Sequence, residues 1–208
     1  MINSFPEKLN AIVDGIAEVG YAIVDDFLTV DEIDAILALD EFNNSLVHFK
    51  KAGIGQHRDK QINEGIRGDY IQWIDPANAQ AALQCYLDKL KEVILAVNQG
   101  LFLSLKDFEI HLTDYPAGTF YKRHLDQFKK DDHRKLSIIC YLNKNWQANE
   151  GGQLRIYLSG KEIDALPIAG RLVCFRSDLL EHEVLPATRE RLSITGWILD
   201  QHADLRHL

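Results

Sequence analysis

At about residue 107 the hydrophobic pattern of this 208-residue chain changes period. Upstream, apolar residues recur every three or four positions; downstream they alternate. Helices therefore belong to the first half and strands to the second. Leu9, Ile12, Val13 and Ile16 mark one face of a helix over residues 6–18, closed by Gly20. "YAIVDDFL" follows as a short strand, and Thr29 with Glu32 three residues on makes a capping box for a second helix. The longest helix should run from about 77 to 99, with Leu83, Tyr86, Leu87, Leu90, Ile94 and Val97 as its stripe and Gly100 as its C-terminal cap. Beyond 107, "FEIHLTDY", "KLSIICYL", "GQLRIYL", "RLVCFRS" and "RLSITGWIL" read as strands between Gly- and Pro-bearing turns. The expectation is one domain over 1–208, α+β and mainly β. Helices of about 1–100 should pack on one sheet of a sandwich, jelly roll or barrel over about 101–200. "NSLVHFKKAGIGQHRDKQINEG" and "FKKDDHRK" are polar and aperiodic, the segments expected to be mobile loops able to close over a ligand.

Charge and cysteine usage narrow the partners. There are 31 acidic residues against 23 Lys plus Arg, a formal net charge of -8. That argues against nucleic-acid and anionic-membrane surfaces, which demand a basic face. The N-terminus carries no basic region followed by an apolar run, and no apolar stretch is long enough to span a bilayer, so a soluble cytoplasmic protein is expected. Cys85, Cys140 and Cys174 are odd in number and lack a C-x-x-C, which suggests buried thiols and no disulfide framework or zinc ribbon.

The chemistry concentrates in "YPAGTFYKRHLDQF", where His124 and Asp126 stand two apart. On a strand the two side chains share a face and could offer a nitrogen and an oxygen to one ion. H-x-D alone is a weak signal. Of the other histidines, His202 and His207 lie in a polar tail, and His48, His57 and His133 lie in loop-like segments, where solvated side chains account for them. His182, after the strand "RLVCFRS", could supply a third ligand or simply pack at a strand end. Two histidines and one carboxylate occupy one face of an octahedral ion and leave the rest open, as in non-heme Fe(II) oxygenases. Arg191 discriminates further. Its strand puts Leu192, Ile194 and Ile198 on one face and Arg191, Ser193, Thr195 and Trp197 on the other. Those polar groups would be costly to bury in a barrel without a ligand. 2-Oxoglutarate chelates iron at one end and presents a second carboxylate that a guanidinium can bind. Pairing of a surface Arg191 with Glu190 or Asp200 is the alternative.

Residues 66–200 resemble the Fe(II)- and 2-oxoglutarate-dependent prolyl hydroxylases related to the hypoxia-sensing enzymes of animals. "IRGDYIQWI", "YPAGTFYKRHLD", "YLNKNWQANEGGQLRIY" and "HEVLPATRERLSITGW" match together and in order. The resemblance implies a double-stranded β-helix (jelly-roll, cupin-like) core. It implies that His124, Asp126 and His182 form the iron triad, and that Arg191 binds the distal carboxylate of 2-oxoglutarate with the Tyr141 hydroxyl joining it. Tyr115, Tyr121 and Trp197 would line the metal and co-substrate pocket, while Arg67, Asp69 and Arg134 would border the substrate. The turn "YPAGTFY" is one residue shorter than in the animal enzymes, which makes Tyr115 less securely placed than Tyr121. His111 stands where those enzymes carry an apolar residue, to fill the pocket or to tune it.

The implied activity is hydroxylation of a prolyl residue in a protein, a translation elongation factor among the candidates. Fe(II), 2-oxoglutarate and O2 would be consumed or used, with succinate and CO2 as co-products and ascorbate as a reductant. The same iron chemistry on a free amino acid or small metabolite, and a non-catalytic jelly-roll binding module, are the competing readings. An intact triad with Arg191 and Tyr141 weighs against the last.

Overall fold

The computed structural model describes residues 4–53, 63, 65–127 and 132–202. Helix α1 (Phe5–Val19) starts at a Ser4/Glu7 capping box and ends at Gly20, whose φ of 81° suits a residue without a Cβ. Strand β1 (Tyr21–Val24) leads to α2 (Val30–Leu37), begun by the anticipated Thr29/Glu32 box. Single-turn helices α3 (Asp40–Asn43) and α4 (Ser45–His48) precede the short strands β2 (Lys50–Lys51) and β3 (Tyr70–Trp73). The expected loop from residue 44 thus holds a helical turn and a strand in its described part. Residues 54–62 and 128–131, the centres of both expected loops, lie outside the described residues, as do His57 and His207.

Helix α5 (Ala81–Leu101) buries Leu83, Tyr86, Leu87, Leu90, Val93 and Val97, at roughly 2 kcal/mol for each large apolar side chain removed from water. It runs through Gly100 and ends at Phe102, which takes the left-handed conformation with φ 55°. Gly100 is therefore not the cap. A Cβ there would lie 2.5 Å from Val13 Cγ1, so the glycine is where α1 and α5 touch.

Eight strands follow: β4 (Asp107–Tyr115), β5 (Tyr121–His124), β6 (Arg134–Tyr141), β7 (Leu154–Leu158), β8 (Lys161–Ala165), β9 (Leu172–Arg176), β10 (His182–Val184) and β11 (Arg191–Leu199). They form two antiparallel sheets of a double-stranded β-helix. The larger has the order β1-β9-β6-β11-β4-β3-β2, the smaller β5-β10-β7-β8. Alternation divides each strand of the larger sheet. Phe108, Ile110, Leu112, Leu136, Ile138, Cys140, Ile194 and Ile198 pack outward under the helices. Tyr115, Ile139, Tyr141, Val173 and Phe175 face the smaller sheet, where they meet Leu154, Ile156 and Val184. The site lies between the sheets.

Cys140 and Cys174 are buried free thiols, but Cys85 is only half-buried and its thiol donates to Glu32 (3.1 Å). The outer histidines are not all merely solvated. His48 Nε2 lies 2.9 Å from Asp40, and His133 Nδ1 lies 2.8 Å from Asp200.

Candidate active site

Antiparallel pairing of β10 with β5 sets His182 opposite His124, with ring centroids 4.2 Å apart. β5 ends at His124, so Asp126 does not share a strand face with it as the spacing suggested. The chain bends after the strand, Leu125 turns to solvent, and the Asp126 carboxylate swings back between the two rings. Asp126 Oδ1 is 3.3 Å from His124 Nε2, and Oδ2 is 3.5 Å from His182 Nε2. One ligand atom from each of the three lies within 4.8 Å of the others.

Backbone carbonyls decide the tautomers. His124 Nδ1 lies 2.7 Å from the Lys122 carbonyl and His182 Nδ1 lies 3.2 Å from that of Leu180. A carbonyl can only accept, so both protons sit on Nδ1 and both Nε2 lone pairs face inward. The Ser137 hydroxyl donates to Asp126 Oδ2 (2.6 Å) and is itself joined to Ser177 (2.8 Å). Burial alone would raise the Asp126 carboxyl, but His182, His124 and Ser137 outweigh it and hold it well below its ordinary value. Burial lowers His182 to about 4, more than Asp126 restores. A neutral His182 imidazole and an ionised Asp126 carboxylate suit a divalent cation. The donor set fits Fe(II), with part of the ion's coordination sphere open.

Strand β11 carries the other end of the pocket. Pairing in the larger sheet aligns Arg191 with Tyr115, Ser193 with Thr113 and Tyr141, and Thr195 with His111 and Ile139. Arg191 is only 2 % exposed. Its Nε donates to the Gly152 carbonyl (2.9 Å) and Nη2 to the Tyr141 hydroxyl (3.3 Å). The Tyr115 and Tyr141 rings lie 5.1 and 4.9 Å from its guanidinium carbon. No carboxylate pairs with Arg191 among the described residues, so neither Glu190 nor Asp200 neutralises it. A buried cation without a counter-ion is a place for an anionic ligand. Burial raises both Tyr141 and Tyr115 above the ordinary phenol value, which keeps the two hydroxyls neutral donors.

The residues expected near a substrate are more inward than anticipated. Arg67 forks onto Asp69 through Nε (2.7 Å) and Nη2 (2.5 Å), and Asp69 is 1 % exposed. Burial would lower Arg67, but Asp69 more than offsets it and the guanidinium stays charged. Its carbon lies 4.3 Å from the centre of the Tyr121 ring, which stacks on His124 at 3.6 Å. Asp69 thus braces Arg67, Arg67 braces Tyr121, and Tyr121 braces a triad histidine. Arg134 lies 3.4 Å over Trp197 and donates to Glu109 (3.2 Å).

Ser137, Ser177 and Gly152 escaped sequence reasoning. Ser137 could have been found, since it alternates inward with Ile139 and Tyr141 in the otherwise apolar run from Leu136 to Tyr141. Nothing in the sequence marks a carbonyl such as that of Gly152.

Comparison with known proteins gives this geometry a family. Residues 110–199 match the 2OG-Fe(II) oxygenase superfamily. Mouse prolyl hydroxylase EGLN3 is 33% identical over 204 residues, covering 92% of this chain and 83% of that protein. The hypoxia-inducible factor prolyl hydroxylase of Caenorhabditis elegans is 34% identical over 91% of this chain, which spans only 28% of that longer protein. A prolyl-4-hydroxylase from Pseudomonas putida superposes with a TM-score of 0.83 at 45% identity, covering 93% of this chain and 99% of that one. The Trichoplax adhaerens prolyl hydroxylase, solved with a hypoxia inducible factor oxygen degradation domain peptide fragment, gives 0.82 at 29% identity over 92% and 89%. With the triad, the two-sheet fold and these likenesses in agreement, the chain belongs to the Fe(II)- and 2-oxoglutarate-dependent prolyl hydroxylases of the hypoxia-sensing type.

Proposed function

We propose that this dioxygenase hydroxylates a proline held within a protein chain, converting 2-oxoglutarate and O2 to succinate and CO2. The observation that carries the reading is Arg191. It is a buried, unneutralised guanidinium on the same pocket wall that leads to the His124, Asp126 and His182 lone pairs. A dicarboxylate that chelates a metal at one end and meets Arg191 at the other satisfies both. Iron and O2 supply the oxidising chemistry when bound. The residues supply position and charge. Arg191 and the Tyr141 hydroxyl receive the distal carboxylate, and Tyr115 packs over the guanidinium. His124, Asp126 and His182 hold the metal, with Ser137 orienting the carboxylate. Tyr121 and Trp197 wall the pocket.

A protein substrate rather than a small molecule is supported by the surroundings of the triad. Leu125, between His124 and Asp126, is 43 % exposed, an apolar side chain at the triad's edge suited to chain rather than to a lone polar metabolite. The Arg67 and Arg134 stacks flank it, with Asp69 fixing the first. The Trichoplax relative, which carries a peptide in its structure, is the precedent.

The test is anaerobic loading with Fe(II) and 2-oxoglutarate, then O2, then mass spectrometry of candidate proteins, a translation elongation factor among them. One oxygen added to a proline-containing peptide, with equimolar succinate, is expected. Oxidation of free proline at rates matching any peptide would overturn the protein-substrate reading.

A further inference from the structure

Two serines stand in line behind the Asp126 carboxylate. Ser137 lies on the inward face of β6, and its hydroxyl donates to Asp126 Oδ2 at 2.6 Å. Ser177 directly follows β9, where alternation from Val173 and Phe175 turns it inward as well. Its hydroxyl is 2.8 Å from that of Ser137. Ser177 is 0 % exposed and Ser137 1 %, so solvent does not compete for the bond between them.

Proton counting gives this line a direction. An ionised carboxylate only accepts, so the one hydroxyl proton of Ser137 is spent on Asp126. Ser137 has none left for its neighbour, and Ser177 is the donor between the two. The hydroxyls therefore run one way, Ser177 to Ser137 to Asp126, and in a dry interior each donation strengthens the next. The main chain of Ser177 anchors the far end. Its N–H donates to the Lys135 carbonyl and its carbonyl accepts from the Gln127 N–H, both at 3.1 Å. One residue thus ties the strand that carries Ser137 to the segment next to Asp126.

A carboxylate has two oxygens, and an ion that must also accept a chelating co-substrate has room for one. Asp126 Oδ1 lies 3.3 Å from His124 Nε2 and makes no bond to a serine. Oδ2, 3.5 Å from His182 Nε2, receives the Ser137 proton. We propose that Ser177 is a positioning residue for the metal. Through Ser137 it keeps Oδ2 engaged, so that Asp126 offers the ion a single oxygen and leaves the other positions to the co-substrate. This inference rests on the iron and 2-oxoglutarate reading and deepens it.

The test uses Zn(II) in place of iron, without turnover. Zn(II) is titrated calorimetrically into the parent, Ser177→Ala, Ser137→Ala and the double variant, and 2-oxoglutarate is then titrated into each Zn(II)-loaded protein. The main-chain bonds of residue 177 survive in Ser177→Ala, which isolates the hydroxyl. This variant is expected to weaken both ligands about threefold to tenfold, the range of one net hydrogen bond. The double variant should match Ser137→Ala alone, because Ser177 acts only through Ser137. Co(II) bound in place of Zn(II) should give Ser177→Ala an altered visible spectrum, a change in the ion's donors that a general loosening of the fold does not produce. If Ser177→Ala fails to fold, Ser177→Cys, close in shape but a weak donor, is judged by the same criteria. Affinities within about twofold of the parent with an unaltered Co(II) spectrum, or losses that add in the double variant, would overturn the proposal. A parent that binds neither Zn(II) nor 2-oxoglutarate would instead overturn the reading on which it rests.

Discussion

Arg191 carries a cost in the unliganded protein that its ligand relieves. Its guanidinium is buried against two tyrosine rings and, among the described residues, bonds only a carbonyl and a hydroxyl. Arg191→Met keeps the length and removes the charge. Thermal scans of this variant should show an unliganded Tm at or above the parent's, because a buried charge without a counter-ion is lost. The rise in Tm that 2-oxoglutarate gives the Zn(II)-loaded parent should vanish. An unliganded variant several kcal/mol less stable would mean that Arg191 is a structural anchor. Ser137→Ala is the corresponding test at the metal. Removing the hydroxyl that points Asp126 Oδ2 should weaken metal affinity about 10–100-fold while the fold survives. The residues legible in advance were those whose chemistry is odd for their surroundings: two histidines, an aspartate, and an arginine on a strand. Asp126 was misplaced by a turn because a two-residue spacing says nothing about where a strand stops. Asp69 was placed at the substrate, yet its carboxylate is spent on Arg67.

Among the elements, length decided what could be read. Strands β4, β6, β7, β9 and β11 run for five to nine residues and are rich in branched and aromatic side chains, enough to be read as strands although burial on both faces blurs the alternation in β6 and β9. β2 and β10, of two and three residues, exist through pairing with their neighbours and leave no pattern. Glycine was ambiguous for another reason: the same residue serves as a cap and as a place of close approach. Gly100 and Gly196 are both of the second kind, and they differ in what lies opposite. A Cβ at Gly196 would fall 1.9 Å from the Glu109 carbonyl oxygen, a backbone atom in the middle of the sheet. At Gly100 the obstacle is a methyl of Val13, which can rotate. Gly196→Ala should therefore cost about 3 kcal/mol or more in denaturant unfolding. Gly100→Ala should change stability by no more than about 1 kcal/mol, since helix propensity offsets the contact. In a Val13→Ala background it should become stabilising. Equal costs at the two glycines would contradict this account of the interfaces.

Across the whole molecule, two buried groups titrate against each other. Burial holds His111 at about 4 rather than 6.5, and burial with Glu190 and Asp69 nearby lifts Asp114 to about 6 from 3.8. Asp114 has one carboxylate oxygen without a hydrogen bond, consistent with the rise. As pH falls from 6.5 to 4, the unfolded chain takes up a proton that folded His111 refuses, so that group lowers stability on acidification. Between 6 and 3.8 the folded chain takes up a proton on Asp114 before the unfolded one does, so that group raises it. The His111 effect is on the order of 3 kcal/mol at full extent, the Asp114 effect is smaller because solvent screens its carboxyl, and over the shared window they oppose. Asp114→Asn removes the second alone. It should be more stable than the parent at pH 7 by about 1–3 kcal/mol, with the advantage gone near pH 4. His111→Leu should show the reverse trend, gaining on the parent as pH falls from 6.5. Unfolding curves at several pH values, each variant referred to the parent, isolate these two groups because every other titratable residue is common to the three proteins. A constant difference between Asp114→Asn and the parent from pH 7 to pH 4 would show that the Asp114 carboxyl is not raised in the folded state.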